Sequence, residues 1–190
     1  MSEKNKMMLY SPQSEAVVHA MERDGVCFSK REYVLKKYEE SAPIFVAAYS
    51  AFVMEAQKYV PKPEGAEYPY WGFKDLQNVE LHADTKLLTM NVPIDKIIFF
   101  DMFDWNKILR LQYMGESEED EVQFRQMLDS RGIKRESDII LTSFYPDLKR
   151  KVQDSWKRLF RHHEDIKQGN IKNVRSVQIG LWQIKKEWIV

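Results

Sequence analysis

Two carboxylates three residues apart, in the stretch FFDMFDW, are the first place where acid–base chemistry could sit. Asp101 closes a β-type apolar run and Asp104 falls at the start of a helical one. A strand end fixes a catalytic carboxylate while its exit loop exposes it. The same spacing is equally a capping arrangement, with Asp101 accepting orphan backbone N–H groups and Asp104 favoured by the helix dipole. Gln178, in SVQIGLWQI, is the third polar candidate. Alternation puts it on one face of a strand with Gly180 and Trp182, where its amide could hold a polar ligand or simply mark a sheet edge. EYPYWGF adds four aromatic rings in seven positions, residues 67–73. Read as a strand, it sends Trp71 and Phe73 to the core. Tyr68 and Tyr70 then share the other face with Gly72, as rim residues or as a platform for a planar ligand.

A different chemistry is written between Lys149 and Arg161, where six basic residues face one acid, Asp154. On a continuous helix Lys149, Lys157 and Arg161 form one stripe, which could bind phosphates or nucleic acid. It could also be a solvated face whose charge the acidic ESEEDE segment answers within the fold. His162 and His163 are adjacent and diverge on a helix, and His19 and His82 have no companion at ligand spacing, so no metal is expected. Cys27 is the single cysteine and reads as a small buried thiol. No Gly-x-Ser-x-Gly elbow or glycine-rich phosphate loop occurs.

These groups need a scaffold, and the chain is long enough to build one. Its 190 residues carry 29 basic and 29 acidic side chains, so no global field draws it to nucleic acid or anionic lipid. No run is long and apolar enough for a signal peptide or a membrane span, and the expected location is cytoplasmic, with no membrane partner. KMMLYSPQ reads as an opening strand with Met8 and Tyr10 facing one way and Met7 and Leu9 the other. SEAVVHAMERDG has a helix's punctuation, from Ser14 to a stop at Gly25. Helices are expected over about 31–40 and 42–60, separated at Pro43, the second apolar around most of its circumference and so buried. EYPYWGF, TKLLTMNVP and KIIFFD read as strands, the last two joined by a turn at Pro93-Ile94-Asp95. Helical runs follow at DMFDWNKILRLQYM, at GESEEDEVQFRQMLDSRG and at YPDLKRKVQDSWKRLFRHHED, before a late strand whose alternation runs from Val177 to Ile184. The expectation is one mixed α+β domain over 1–190, a small central sheet packed with about five to six helices.

The blocks LYSPQ, YPYWGF, VPIDKIIFFDMFDW, DSWKRLF and VQIGLWQI together resemble an uncharacterised family, a domain of unknown function of bacteria and bacteriophages. The resemblance spans nearly the whole chain and carries no activity or functional residues. The sequence departs from that pattern at Pro12 and at Asn106, where the resemblance implies a histidine. The layout is also similar, more distantly, to small ADP-ribosyltransferase-like domains. That similarity implies NAD as cofactor, with Tyr10 or Gln13 and Tyr68 or Tyr70 gripping its nicotinamide half and Trp182 beside them. Gln178 would stand where such enzymes carry an acid. It can orient the ribose but has no charge to stabilise a developing cation, unless Asp101 or Asp104 is brought close. The alternatives are a non-catalytic interaction protein, phage- or defence-related, that meets a target protein through a surface, and a nucleic-acid-associated protein that uses the 149–163 helix.

Overall fold

The computed structural model describes residues 5–190. Among the described residues there are seven strands: β1 (Lys6–Ser14), β2 (Val26–Phe28), β3 (Tyr70–Phe73), β4 (Thr85–Pro93), β5 (Ile98–Asp101), β6 (Val177–Leu181) and β7 (Gln183–Lys185). The helices are α1 (Glu15–Asp24), α2 (Arg31–Tyr38), α3 (Ala42–Ala56), α4 (Met102–Leu109), α5 (Glu118–Ser130), α6 (Glu136–Leu141), α7 (Pro146–Ser155) and α8 (His163–Lys167). The architecture is mixed α and β, as expected. Five strands form an antiparallel sheet in the order β4-β1-β3-β6-β5, and β2 and β7 pair as a separate ribbon.

Strands β4 and β5 are separated by only four residues, yet they sit at opposite edges of the sheet. A flat five-stranded sheet would part its edges by about 19 Å. Three of the four linking residues lie in a 3-10 turn, Ile94–Lys96, which rises only about 2 Å per residue. The sheet is therefore curled, and its inner face collects residues from both edges: Met90 and Val92 of β4, Ile97 and Phe99 beside Leu9, Tyr70, Ile179 and Leu181. Val18 and Met21 of α1, Ile166 of α8 and Ile184 of β7 close this core.

The outer face carries a second core over β3, β6 and β5. Phe52 of the buried helix α3 sets its ring edge-on to Trp71, Phe100, Trp105 and Phe160, with centroids 5.0–5.4 Å apart. Gly180 permits this approach, because a Cβ there would lie 2.9 Å from Phe52 Cζ. Over β1 and β4 the same face stays open, and Met8 is 50% exposed. The ladder between β1 and β3 is a single pair, Tyr10 opposite Phe73. Pro12, with no N–H to give, follows. The Trp71 carbonyl takes the Ser11 hydroxyl instead, at 2.6 Å.

Several expected elements come out differently: α4 ends at Leu109 where a helix to Met114 is predicted, and the late strand divides into β6 and β7, which join different sheets. The segment 146–167 is α7, a 3-10 turn over Trp156–Phe160, and α8, where one long helix is predicted. Ser14 and Ser41 precede α1 and α3 without giving a side-chain cap, whereas Asp101 caps α4 and Ser117 caps α5. Among the described residues no helix is long and apolar enough to cross a membrane.

Candidate functional site

Register places one row of side chains across all five strands of the outer face. Thr89 pairs with Tyr10, Tyr10 with Phe73, Phe73 with Gln178 and Gln178 with Phe100. Residues directly opposite in neighbouring strands point to the same side. The row runs from the fully buried Phe100, through Gln178 at 8% exposure, to the half-buried Phe73, Tyr10 and Thr89. Gln178 Oε1 is buried and has no hydrogen-bond partner among the described residues. A buried carbonyl left this way costs about 1–3 kcal/mol. Among the described residues Tyr10 Oη reaches only Met8 Sδ, 3.7 Å away, and its ring lies over the open part of the face. Tyr10 and Gln178 are thus brought together, and the sequence reading missed Phe73 as the ring between them.

The other aromatic candidates are not on this surface. Tyr68 and Tyr70 are 4% and 6% exposed and belong to opposite cores. The expected shared wet face fails twice: Tyr68 lies outside β3 and bridges to Ser29, and the face that Tyr70 shares with Gly72 is the buried inner one. Tyr68 meets the Tyr49 ring edge-on at 5.3 Å. Tyr70 Oη lies 3.0 Å from Cys27 Sγ, and burial, then that thiol, pushes its pKa far up. The two residues assigned to the core, Trp71 and Phe73, are the less buried pair. Trp182 lies in the outer core, its Nε1 donating to the Val60 carbonyl at 2.7 Å. Gln13 reaches Ser11 Oγ at 2.8 Å, on the inner side of β1.

Asp101 and Asp104 are both structural in their contacts. Asp101 accepts the N–H groups of Phe103 (2.9 Å) and Arg175 (2.8 Å), and its strand alternation points it away from the row. Asp104, 2% exposed, accepts Arg161 at 2.8 Å. Burial outweighs that guanidinium and holds the Asp104 carboxyl above its ordinary range. Neither acid stands beside Gln178 in the row.

The basic stripe is spent internally. Lys157 pairs with Asp154 at 2.7 Å, Arg158 with Glu116 and Arg161 with Asp104 at 2.8 Å, and Arg150 with Asp147 at 3.9 Å. Lys149 reaches the Thr142 carbonyl at 3.5 Å, and Lys151 lies over the Tyr113 and Phe124 rings. The expected alignment of Lys149, Lys157 and Arg161 is also disturbed. A 3-10 turn advances about 20° more per residue than an α-helix, so Arg161, which follows all five residues of the turn, is rotated by roughly 100° from its expected place.

Residues 8–190 match the family described as a domain of unknown function (DUF3841). The chain belongs to that family. The match runs through every strand of the row and through both cores. Comparison with curated proteins and with solved structures gives no match.

A further buried polar group lies against β5. His163, fully buried, accepts the Phe99 N–H of edge strand β5 at Nδ1, 3.1 Å, and its Nε2 has no hydrogen-bond partner among the described residues. Burial lowers its pKa, against the charge of Glu164 and the Phe99 hydrogen bond. Its sequence signal, an adjacent histidine pair, points to no such role. Among the described residues no group of three His, Cys, Asp or Glu could hold a metal.

Proposed function

We propose that this chain is a small NAD-binding, ADP-ribosyltransferase-like domain whose ligand face is the Tyr10–Phe73–Gln178 row. The observation that carries the reading is the buried, unpartnered Oε1 of Gln178, in register with two half-exposed rings. An orphaned acceptor calls for a donor, and NAD carries donors in its ribose hydroxyls and carboxamide. Tyr10 and Phe73 offer flat apolar area beside it for a planar ring. The three strands that the layout similarity calls on, the first, the aromatic one and the late one, are consecutive neighbours here, β1-β3-β6. Gln178 is neutral, so the row lacks a charge for an oxocarbenium-like ribose. The function read from it is therefore binding, with slow transfer or none.

The test pairs NAD titration with Gln178→Met, which keeps the side-chain length and deletes the carbonyl. NAD should raise the melting temperature of the wild type, as any ligand of the native state does. The variant should keep or gain stability by up to about 1 kcal/mol, because the orphaned acceptor is gone, and lose the NAD response. No shift at millimolar NAD, or an equal shift in Gln178→Met, would sink the reading.

A further inference from the structure

A concave site lies away from the row. A cavity of about 320 Å³ opens between the end of α4, the outer side of α5 and the start of α6. Its volume is at the lower end of the range that takes small ligands. Leu128 and Ile133, both buried, form an apolar floor. Above it stand four cations, Arg110, Arg125, Lys134 and Arg135, against two carboxylates, Asp129 and Glu136. In a chain of formal net charge zero this is a local excess of positive charge.

Most of that charge is uncommitted. Arg135 pairs with Asp138 at 3.0 Å. Arg110, Arg125 and Lys134 make no ion pair among the described residues. Glu136 is already engaged, its carboxylate accepting the Tyr113 backbone N–H. Burial raises the Glu136 pKa against that hydrogen bond and against Arg125, which weakens its claim on the cations.

The wall that carries Arg110 and Gln112 is fixed in advance. Leu111 sits at φ +56°, a conformation that costs a leucine energy, and is held there by its own burial. Trp156 Nε1 donates to the Gln112 carbonyl at 2.7 Å, and Ser155 Oγ accepts the Met114 N–H at 3.0 Å. Arg158 donates to the Met114 carbonyl at 2.8 Å. A site held this way loses little freedom when a ligand enters.

The geometry points to an anion-binding site for a phosphate group, held by the guanidinium groups of Arg110 and Arg125 with Lys134 and the Gln112 amide beside them. Guanidinium forks match phosphate oxygens in pairs, and the apolar floor suits a small organic phosphate more than a polymer.

The test uses the full chain with inorganic phosphate and adenosine monophosphate as probes, read by calorimetry and by melting temperature against chloride of equal ionic strength. The wild type should be stabilised by phosphate beyond the chloride control. Arg110→Gln or Arg125→Gln, both exposed side chains, should melt as the wild type does and lose affinity about tenfold or more. Arg150→Gln, on the neighbouring basic stripe, should bind unchanged. Tighter binding of the nucleotide than of phosphate assigns the site to an organic phosphate, and equal binding to the free anion. A response no larger than chloride's, or one that the Arg110→Gln/Arg125→Gln double variant retains, overturns the site.

Discussion

The stretch 149–161 and the α4–α6 cavity are both cationic, and they differ in what the cations touch. In the first, six basic residues close in sequence each find a partner inside the fold, through acids, a carbonyl or aromatic faces. In the second, three cations from separate segments face a concave surface with no ion pair among the described residues. A charge run is conspicuous in sequence because its members are neighbours. Two of its ion pairs join residues three apart, which a helix builds from local spacing alone. A binding site needs convergence without neutralisation, and that comes from chain segments that only the fold brings together.

If the stripe is structural, removing its most buried contact should cost stability. Arg161→Ala would leave the Asp104 carboxylate buried without its partner. Such a loss runs to several kcal/mol when both charges are buried. Arg161 is 39% exposed, so screening reduces the expected loss to about 2 kcal/mol at neutral pH, read by urea denaturation. The pH dependence has a definite sign. Burial already holds Asp104 above its ordinary range, so the folded state binds the proton more readily than the unfolded chain. Stability from this group is fully present below the unfolded carboxylate pKa and falls as pH rises through the folded value. Arg161→Ala raises the folded value further, so the deficit of the variant should shrink at about pH 4. An equal deficit at both pH values would remove Asp104 from the account.

A second substitution reaches the loop that supports the cavity without touching a cation. At Gly115 a Cβ would lie 2.6 Å from Glu121 Cγ and 2.8 Å from the Ser117 carbonyl, and the backbone cannot move aside cheaply. Glu121 also accepts from Lys107 and from the Gly115 N–H. Gly115→Ala should therefore cost about 1–2 kcal/mol through overpacking. It should also weaken phosphate binding, because the 110–116 wall shifts. Normal phosphate affinity in a destabilised Gly115→Ala protein would show that the wall is not what positions Arg110.

Much of the fold was legible because local chemistry decided it. Gly25 ends α1 at φ +74°, the left-handed conformation that suits glycine. The all-round apolar composition of α3 does mark the central helix, and alternation from Val177 does give β6. The site was legible only in part. Tyr10 and Gln178 fall in one row, but Phe73 between them was assigned to the core and Tyr68 and Tyr70 to the surface. The boundary of β3 misplaces Tyr68, whereas Tyr70 is buried because the face it shares with Gly72 is covered by the inner core. Pairing for β3 starts at Tyr70, so the alternation cannot be carried back to Tyr68. The curl that puts β4 and β5 at opposite edges was illegible, since a short turn between two strands ordinarily implies a hairpin. Arg110, Arg125 and Lys134 lie too far apart in sequence to suggest a common cavity.

The smallest expected effect is at Lys157, where the comparison can be broken outright. Its pair with Asp154 is short, 2.7 Å, but both side chains are 58% exposed, and water and salt screen such contacts. Lys157, by hydrogen bond and by charge, holds the Asp154 carboxyl below its usual range. In Lys157→Gln that pKa should move back up, visible in an NMR titration of Asp154, with no measurable change in the urea midpoint. Retention on an immobilised oligonucleotide should be the same for variant and wild type at every salt concentration, because the lysine is already answered from within. If wild type is retained in a salt-dependent way and Lys157→Gln is not, the stripe meets polyanions despite its partners. Internal pairing would then no longer separate the two cationic regions.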